Sequence, residues 1–166
     1  MAGHIVALGG GGFSIKGAYT AVDDFILSLT GRQRPRVCFI PTASADSPPY
    51  IARFYRAFSD RCVATDLTLF DPPALPRQPP RTTDLAGSAC PHYDGEAERR
   101  GRYHEMIISG LPSGYAADDD AALHFTGTAL TEVVSDRPDA AAYRVEREAD
   151  GIVETRLPAR LLTTTS

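Results

Sequence analysis

A chain of 166 residues, 43% of them hydrophobic, has the length for one domain with a buried core. A net charge of −4 with basic side chains scattered along the chain excludes a basic face for nucleic acid, and no apolar run is long enough to span a bilayer. The acidic balance sits in the second half, where residues 86–166 carry eight Arg and Lys against fourteen Asp and Glu, compared with nine against seven in residues 1–85. Cys38, Cys62 and Cys90 are odd in number and widely spaced, which argues against a disulfide framework and against a C-x-x-C metal site. They fit a reducing, cytoplasmic setting, and the absence of a basic leader before the first strand predicts neither a signal peptide nor a membrane anchor.

The first element is the most informative. Ile5 to Leu8 is an apolar β-run that empties into four glycines, Gly9 to Gly12, and then Phe13 and Ser14. Glycines at a strand end permit a sharp turn and bring backbone amides close to whatever lies beyond the sheet edge, which makes Gly10, Gly11 and Gly12 candidate substrate-binding residues. The run is not a convincing G-x-G-x-x-G fingerprint, because four glycines satisfy almost any glycine template and no acid-tipped second strand follows. A tight βα turn without a ligand is the plainer reading.

Val22, Phe25, Ile26 and Leu29 then recur at helical spacing, Asp23 and Asp24 lie where the helix dipole favours acids, and Gly31 follows as a helix stop. Arg36 to Pro41 is a short buried strand that ends in small polar residues. Ser47 and Pro48 open a second helix with Ile51, Phe54, Tyr55 and Phe58 on its core stripe, and Val63 to Phe70 forms a third strand. Three strands separated by two helices predict an α/β domain with a doubly wound, mostly parallel sheet whose functional crevice lies at the carboxyl ends of the strands.

Order breaks at Asp71. The stretch DPPALPRQPPR holds five of the thirteen prolines, and residues 71–86 read as an extended linker. Beyond it, Glu96 to Ser109 is a polar helix with Tyr103, Met106 and Ile107 turned inward, stopped by Gly110. Short strands follow at 121–126, 129–134, 141–146 and 151–157, a C-terminal antiparallel extension in which Asp150 and Gly151 supply a hairpin turn. Residues 163–166 are expected to fray.

Between linker and helix lies AGSACPHYDGE. His92 sits there in a loop that the order of elements brings to the carboxyl edge of the sheet, and because an imidazole titrates near neutrality it is a candidate general base for acyl chemistry. His4, His104 and His124 start a strand, ride a helix and lie within a strand, so their expected roles are structural. Neither a metal nor a cofactor is called for.

The combination IVALGGGGFS, RVCFIPTAS, CPHYDGE and GYAADDDAALHF resembles the peptidase E family of serine peptidases, the aspartyl dipeptidase group, over most of residues 4–160. The resemblance implies a fold like that of class I glutamine amidotransferases, His92 as catalytic histidine, and short peptides with an N-terminal aspartate as substrates. Asp118 to Asp120 match a family motif to which no catalytic role is assigned. Between the third strand and the histidine loop the family carries two further βα units, one with a GGGN-type turn and one with the nucleophile serine in a G-x-S-A-G elbow, and neither motif is here. The expectation is therefore a single, internally shortened peptidase E-like domain over residues 1–166. Its nucleophile, elbow amides and third triad member are missing, and its peptidase activity is impaired or lost.

Ser14, Ser88 and Cys90 are the remaining candidates for a nucleophile, each with small loop residue as its plainer reading. The alternative to an impaired peptidase is a non-catalytic remnant that binds a small molecule or self-associates through exposed sheet edges. No nucleic-acid or membrane partner is expected.

Overall fold

The N-terminal strand forms as β1, His4–Leu8, but its partner is β6, Ala121–Thr126, to which it runs antiparallel with Leu8 opposite Ala122 and His4 opposite Thr126. The computed structural model describes residues 3–68 and 87–163. The proline-rich segment over 71–86 lies outside the described residues, as do the last three residues of the tail. The chain divides into two compact units, one formed by residues 3–11 with 87–163 and the other by residues 12–68.

The larger unit contains two four-stranded sheets. One has the order β1-β6-β7-β10, with β7 at Ala129–Ser135 and β10 at Arg160–Leu161. The other has the order β4-β5-β8-β9, with β4 at Ser88–Cys90, β5 at Gly114–Ala117, β8 at Ala141–Glu148 and β9 at Gly151–Pro158. Period-two alternation explains how one sheet serves two cores. Ala117, Ala142 and Leu157 face inward with Leu123, Val133 and Phe125 of the first sheet. Ala116, Val145 and Ile152 point the other way, against Tyr103 and Ile107 of the helix Arg99–Ile108, the fourth in the chain and called α4 below. The unit is thus layered helix, sheet, sheet.

The smaller unit holds α1 (Gly12–Lys16), α2 (Ala21–Ser28), α3 (Pro48–Phe58), a short 3-10 turn at Thr42–Ser44, and a parallel pair of β2 (Arg36–Phe39) and β3 (Val63–Asp66). Phe54, Phe58 and Cys62 form its centre, with Phe13 meeting Phe58 edge-on and Phe39 stacked on Phe54. The aromatic stripe read from the sequence is core. Asp23 accepts hydrogen bonds from the backbone N–H and the hydroxyl of Thr20, 2.9 Å each, which caps α2.

The architecture is α/β, as the alternation of elements predicts, but the described residues do not form a doubly wound parallel sheet. Parallel pairing is confined to β2–β3, β4–β5 and β7–β10, whereas β1–β6, β5–β8, β6–β7 and β8–β9 are antiparallel. The physical reason is long-range. Order along the chain names neighbours in sequence, whereas β1 pairs with a strand more than a hundred residues away. The antiparallel C-terminal extension forms as expected, with Gly151 at φ +136° opening β9 after a two-residue turn.

A partly exposed polar cluster around the buried Tyr93 ties α4 to the sheet beneath it. Glu154 of β9 accepts hydrogen bonds from the Tyr93 hydroxyl and from Arg100, lies 3.2 Å from His104, and Arg100 covers the rings of Tyr93 and Tyr143. Burial pushes the Glu154 carboxyl up, but the bonds from Tyr93 and Arg100 outweigh it and hold the group below its ordinary 4.5. A depressed carboxylate adds stability above its unfolded pKa and loses that stability as pH falls through its folded pKa. Glu154→Gln is therefore expected to lower the melting temperature at pH 7 and to lose less on further acidification, so that the gap from wild type narrows below pH 4.5 in a thermal melt series.

Candidate active site

The glycine turn and the histidine loop meet in the larger unit. The His92 N–H donates to the Gly9 carbonyl, the Tyr93 N–H donates to Ala117 at 3.1 Å, and the Asp120 N–H donates to Gly10 at 3.0 Å. These bonds place the loop after β4 and the loop between β5 and β6 on either side of the turn that ends β1. There His92 Nδ1 lies 2.7 Å from Asp119 Oδ1. The contact is tight enough that a Cβ on Gly10 would collide with Asp119 Oδ1 and come 2.6 Å from the His92 ring, while one on Gly95 would strike Asp119 Oδ2. Gly10 is at φ +152° and Gly11 at φ +94°, a region that favours glycine. The glycines are there to admit the pair.

Two further residues hold Asp119 in place. The Asp119 N–H donates to Asp94 Oδ1 at 2.8 Å, and Arg137 donates to the other Asp94 oxygen and to the Asp119 carbonyl, the latter at 3.1 Å. Burial pushes the Asp94 carboxyl up, but the bonds from the Asp119 amide and Arg137 prevail and keep it below its usual range. Asp118 points elsewhere. Its Oδ2 accepts the Ala141 N–H at 3.0 Å, and burial raises its pKa, so it is a structural carboxyl of the sheet junction. His92 at φ +56° and Asp120 at φ +67° are non-glycine residues held in the left-handed region, strain of the kind that collects at functional sites.

A carboxylate on Nδ1 fixes the ring orientation and favours the tautomer in which Nε2 carries the lone pair, which is what a general base needs. Among the sequence candidates, His92 is therefore placed as its type requires. Gly10 and Gly11 are at the pair, but as clearance for it. Gly12 and Ser14 belong to α1 of the smaller unit, where the Ser14 carbonyl accepts from Arg53 at 3.2 Å. The Ser88 hydroxyl is 2.7 Å from the Tyr103 hydroxyl and donates to the Pro112 carbonyl at 2.6 Å. Cys90 is buried with its thiol facing the Pro91 carbonyl, and burial raises its pKa, which disfavours the thiolate. Neither Ser88 nor Cys90 is bonded to His92.

Asp119 occupies the side of the ring, at Nδ1, where a triad's third member would be looked for. The sequence showed an acidic run, and only the fold reveals that its middle residue turns toward the histidine. Arg137 and Asp94 were not singled out, and an arginine in a turn 43 positions from its carboxylate partner leaves no local pattern to find. Beside the loop, Ala89, Cys90, Pro91, Glu96, Arg99 and Met106 line part of a cavity of about 700 Å³. Among the described residues no group of three or more His, Cys, Asp and Glu side chains is arranged to hold a metal ion, and no helix is long and apolar enough to cross a membrane.

An oriented histidine–carboxylate pair is an arrangement suited to accepting and returning a proton. The family model described as Peptidase family S51 matches residues 5–74. The chain is 36% identical over 227 residues to the "Uncharacterized peptidase YgaJ" of Bacillus subtilis (strain 168), an alignment that covers 96% of this chain and 99% of that one. The chain belongs to peptidase family S51, the peptidase E family. No solved structure matches it. An aligned span of 227 against a chain of 166 leaves at least 61 positions without a counterpart here.

Gly10→Ala is expected to cost more than about 1 kcal/mol from left-handed strain and collision together. Gly127→Ala is the control, since Gly127 has φ +60° but open space around its Cβ position. Urea denaturation is expected to place the midpoint of the Gly10 variant well below that of the control.

Proposed function

We propose that this chain is a shortened serine-type dipeptidase of the peptidase E kind, directed at short aspartate-containing peptides and impaired in turnover. The observation that carries the reading is the His92–Asp119 bond of 2.7 Å, braced by Asp94 and Arg137. In the full reaction a hydroxyl attacks the peptide carbonyl, His92 takes its proton and returns it to the leaving amine, and backbone amides hold the oxyanion. The impairment follows from the shortfall of at least 61 positions, which we assign to the proline-rich region, where the βα units bearing the glycine turn and the nucleophile elbow would otherwise lie and complete a doubly wound sheet. Three free cysteines are in keeping with a cytoplasmic location.

A second reading is a non-catalytic remnant that binds a small molecule or self-associates. It draws on the engagement of Ser88 and Cys90 with partners other than His92, and on Met106 and Ile108 of α4, each about half exposed. Hydrolysis of a chromogenic aspartyl dipeptide analogue separates the two. The peptidase reading expects a slow rate that falls to background in His92→Ala, and equal rates in both proteins would leave the binding reading.

A further inference from the structure

We propose that the His92–Asp119 pair activates water directly, so that this chain hydrolyses activated carboxylic esters without forming an acyl-enzyme. The inference rests on the acid–base half of the reading above and is independent of peptide recognition.

The two ring nitrogens of His92 stand in different surroundings. Nδ1 is occupied by Asp119 Oδ1 at 2.7 Å, so the neutral ring presents its lone pair at Nε2. Among the described residues Nε2 has no hydrogen-bonding side chain, and the His92 side chain is 37% exposed, enough for water to reach it. In a triad that lone pair would be committed to a serine. Here Ser88 Oγ is held by Tyr103 and Pro112, and the Cys90 thiol is buried against Pro91, so neither competes with water for the base.

Asp119 is fixed from behind by Asp94 and Arg137, which keeps the pair oriented without a substrate. Pro91 and Glu96, which bracket His92 in sequence, line a cavity of about 700 Å³ whose remaining wall includes Ala89, Met106 and Leu111, while His92 and Asp119 lie outside that lining.

The step balances without a co-reactant. Water gives its proton to His92 Nε2 as its oxygen bonds the ester carbonyl carbon. The tetrahedral intermediate collapses by breaking the bond to the leaving oxygen, which departs as phenolate, and the imidazolium returns its proton to solvent. A good leaving group matters because no oxyanion donor is assigned and no second proton transfer is then needed. Positioned general-base catalysis is worth about 10²–10⁴-fold, so the rate is modest.

The test is hydrolysis of 4-nitrophenyl acetate by wild type, His92→Gln, Asp119→Asn and, outside the site, His4→Gln, with folding checked by circular dichroism. The expected result is a wild-type rate that rises with pH to a plateau as one group deprotonates, a normal solvent deuterium isotope effect, no burst and no mass gain on the protein. His92→Gln is expected to lose about 10²-fold, Asp119→Asn an intermediate amount, and His4→Gln little. An initial burst, or an added acetyl mass, would show a protein nucleophile and overturn the water route. So would a His92→Gln rate equal to wild type. If His92→Gln does not fold, the isotope effect and the mass of the wild-type protein decide alone. Ester turnover by this route without cleavage of the aspartyl dipeptide analogue would sustain the proposal while overturning the peptide reading.

Discussion

Three backbone segments far apart in sequence converge because a carboxylate must reach a ring nitrogen across a surface that has no side chain. The hydrogen bond between Asp119 and His92 passes over Gly10, and any Cβ there would occupy the space of the carboxylate oxygen. The bond thereby sets the requirements of its surroundings. The end of β1 must be glycine, the loop after β4 must turn through a left-handed His92, and the loop before β6 must turn through a left-handed Asp120. Asp94 and Arg137 brace the result from the solvent side, where screening makes isolated ion pairs weak and a shared network more useful.

Much of the local structure was legible. The helix with Phe54 and Phe58, the polar helix ending near Gly110 and the four C-terminal strands follow from periodicity and turn residues, because each is decided by contacts within a few positions. What failed was orientation. A mostly parallel sheet was expected, but β1 runs antiparallel to β6, and nothing in the composition of His4–Leu8 distinguishes a parallel from an antiparallel partner. The short strands β4 and β5 escaped for a related reason: Ser88–Cys90 and Gly114–Ala117 are three and four residues long, small apart from Tyr115, and their extended form comes from each other and from β8.

The site was half legible in the same sense. His92 could be singled out because its residue type and its loop position agree. Asp119 could not be told from Asp118 and Asp120, three like residues whose fates diverge with the direction of the backbone: one into the sheet junction, one onto the histidine, and one into a left-handed turn. Glycines at a strand end signal close approach, and what approaches Gly10 is this chain's own carboxylate and ring. Membership of a peptidase family comes from similarity over nearly the whole chain, and the oriented base comes from geometry alone.

The claim on which the account depends is that Asp119 holds the His92 ring in a single tautomer with Nε2 available. Nitrogen-15 NMR of the labelled imidazole in wild type and Asp119→Asn measures this most directly. The account predicts, for neutral His92 in wild type, a protonated Nδ1 with a downfield proton and an unprotonated Nε2, both lost in the variant. Shifts of a freely exchanging ring, the same in both proteins, would contradict it.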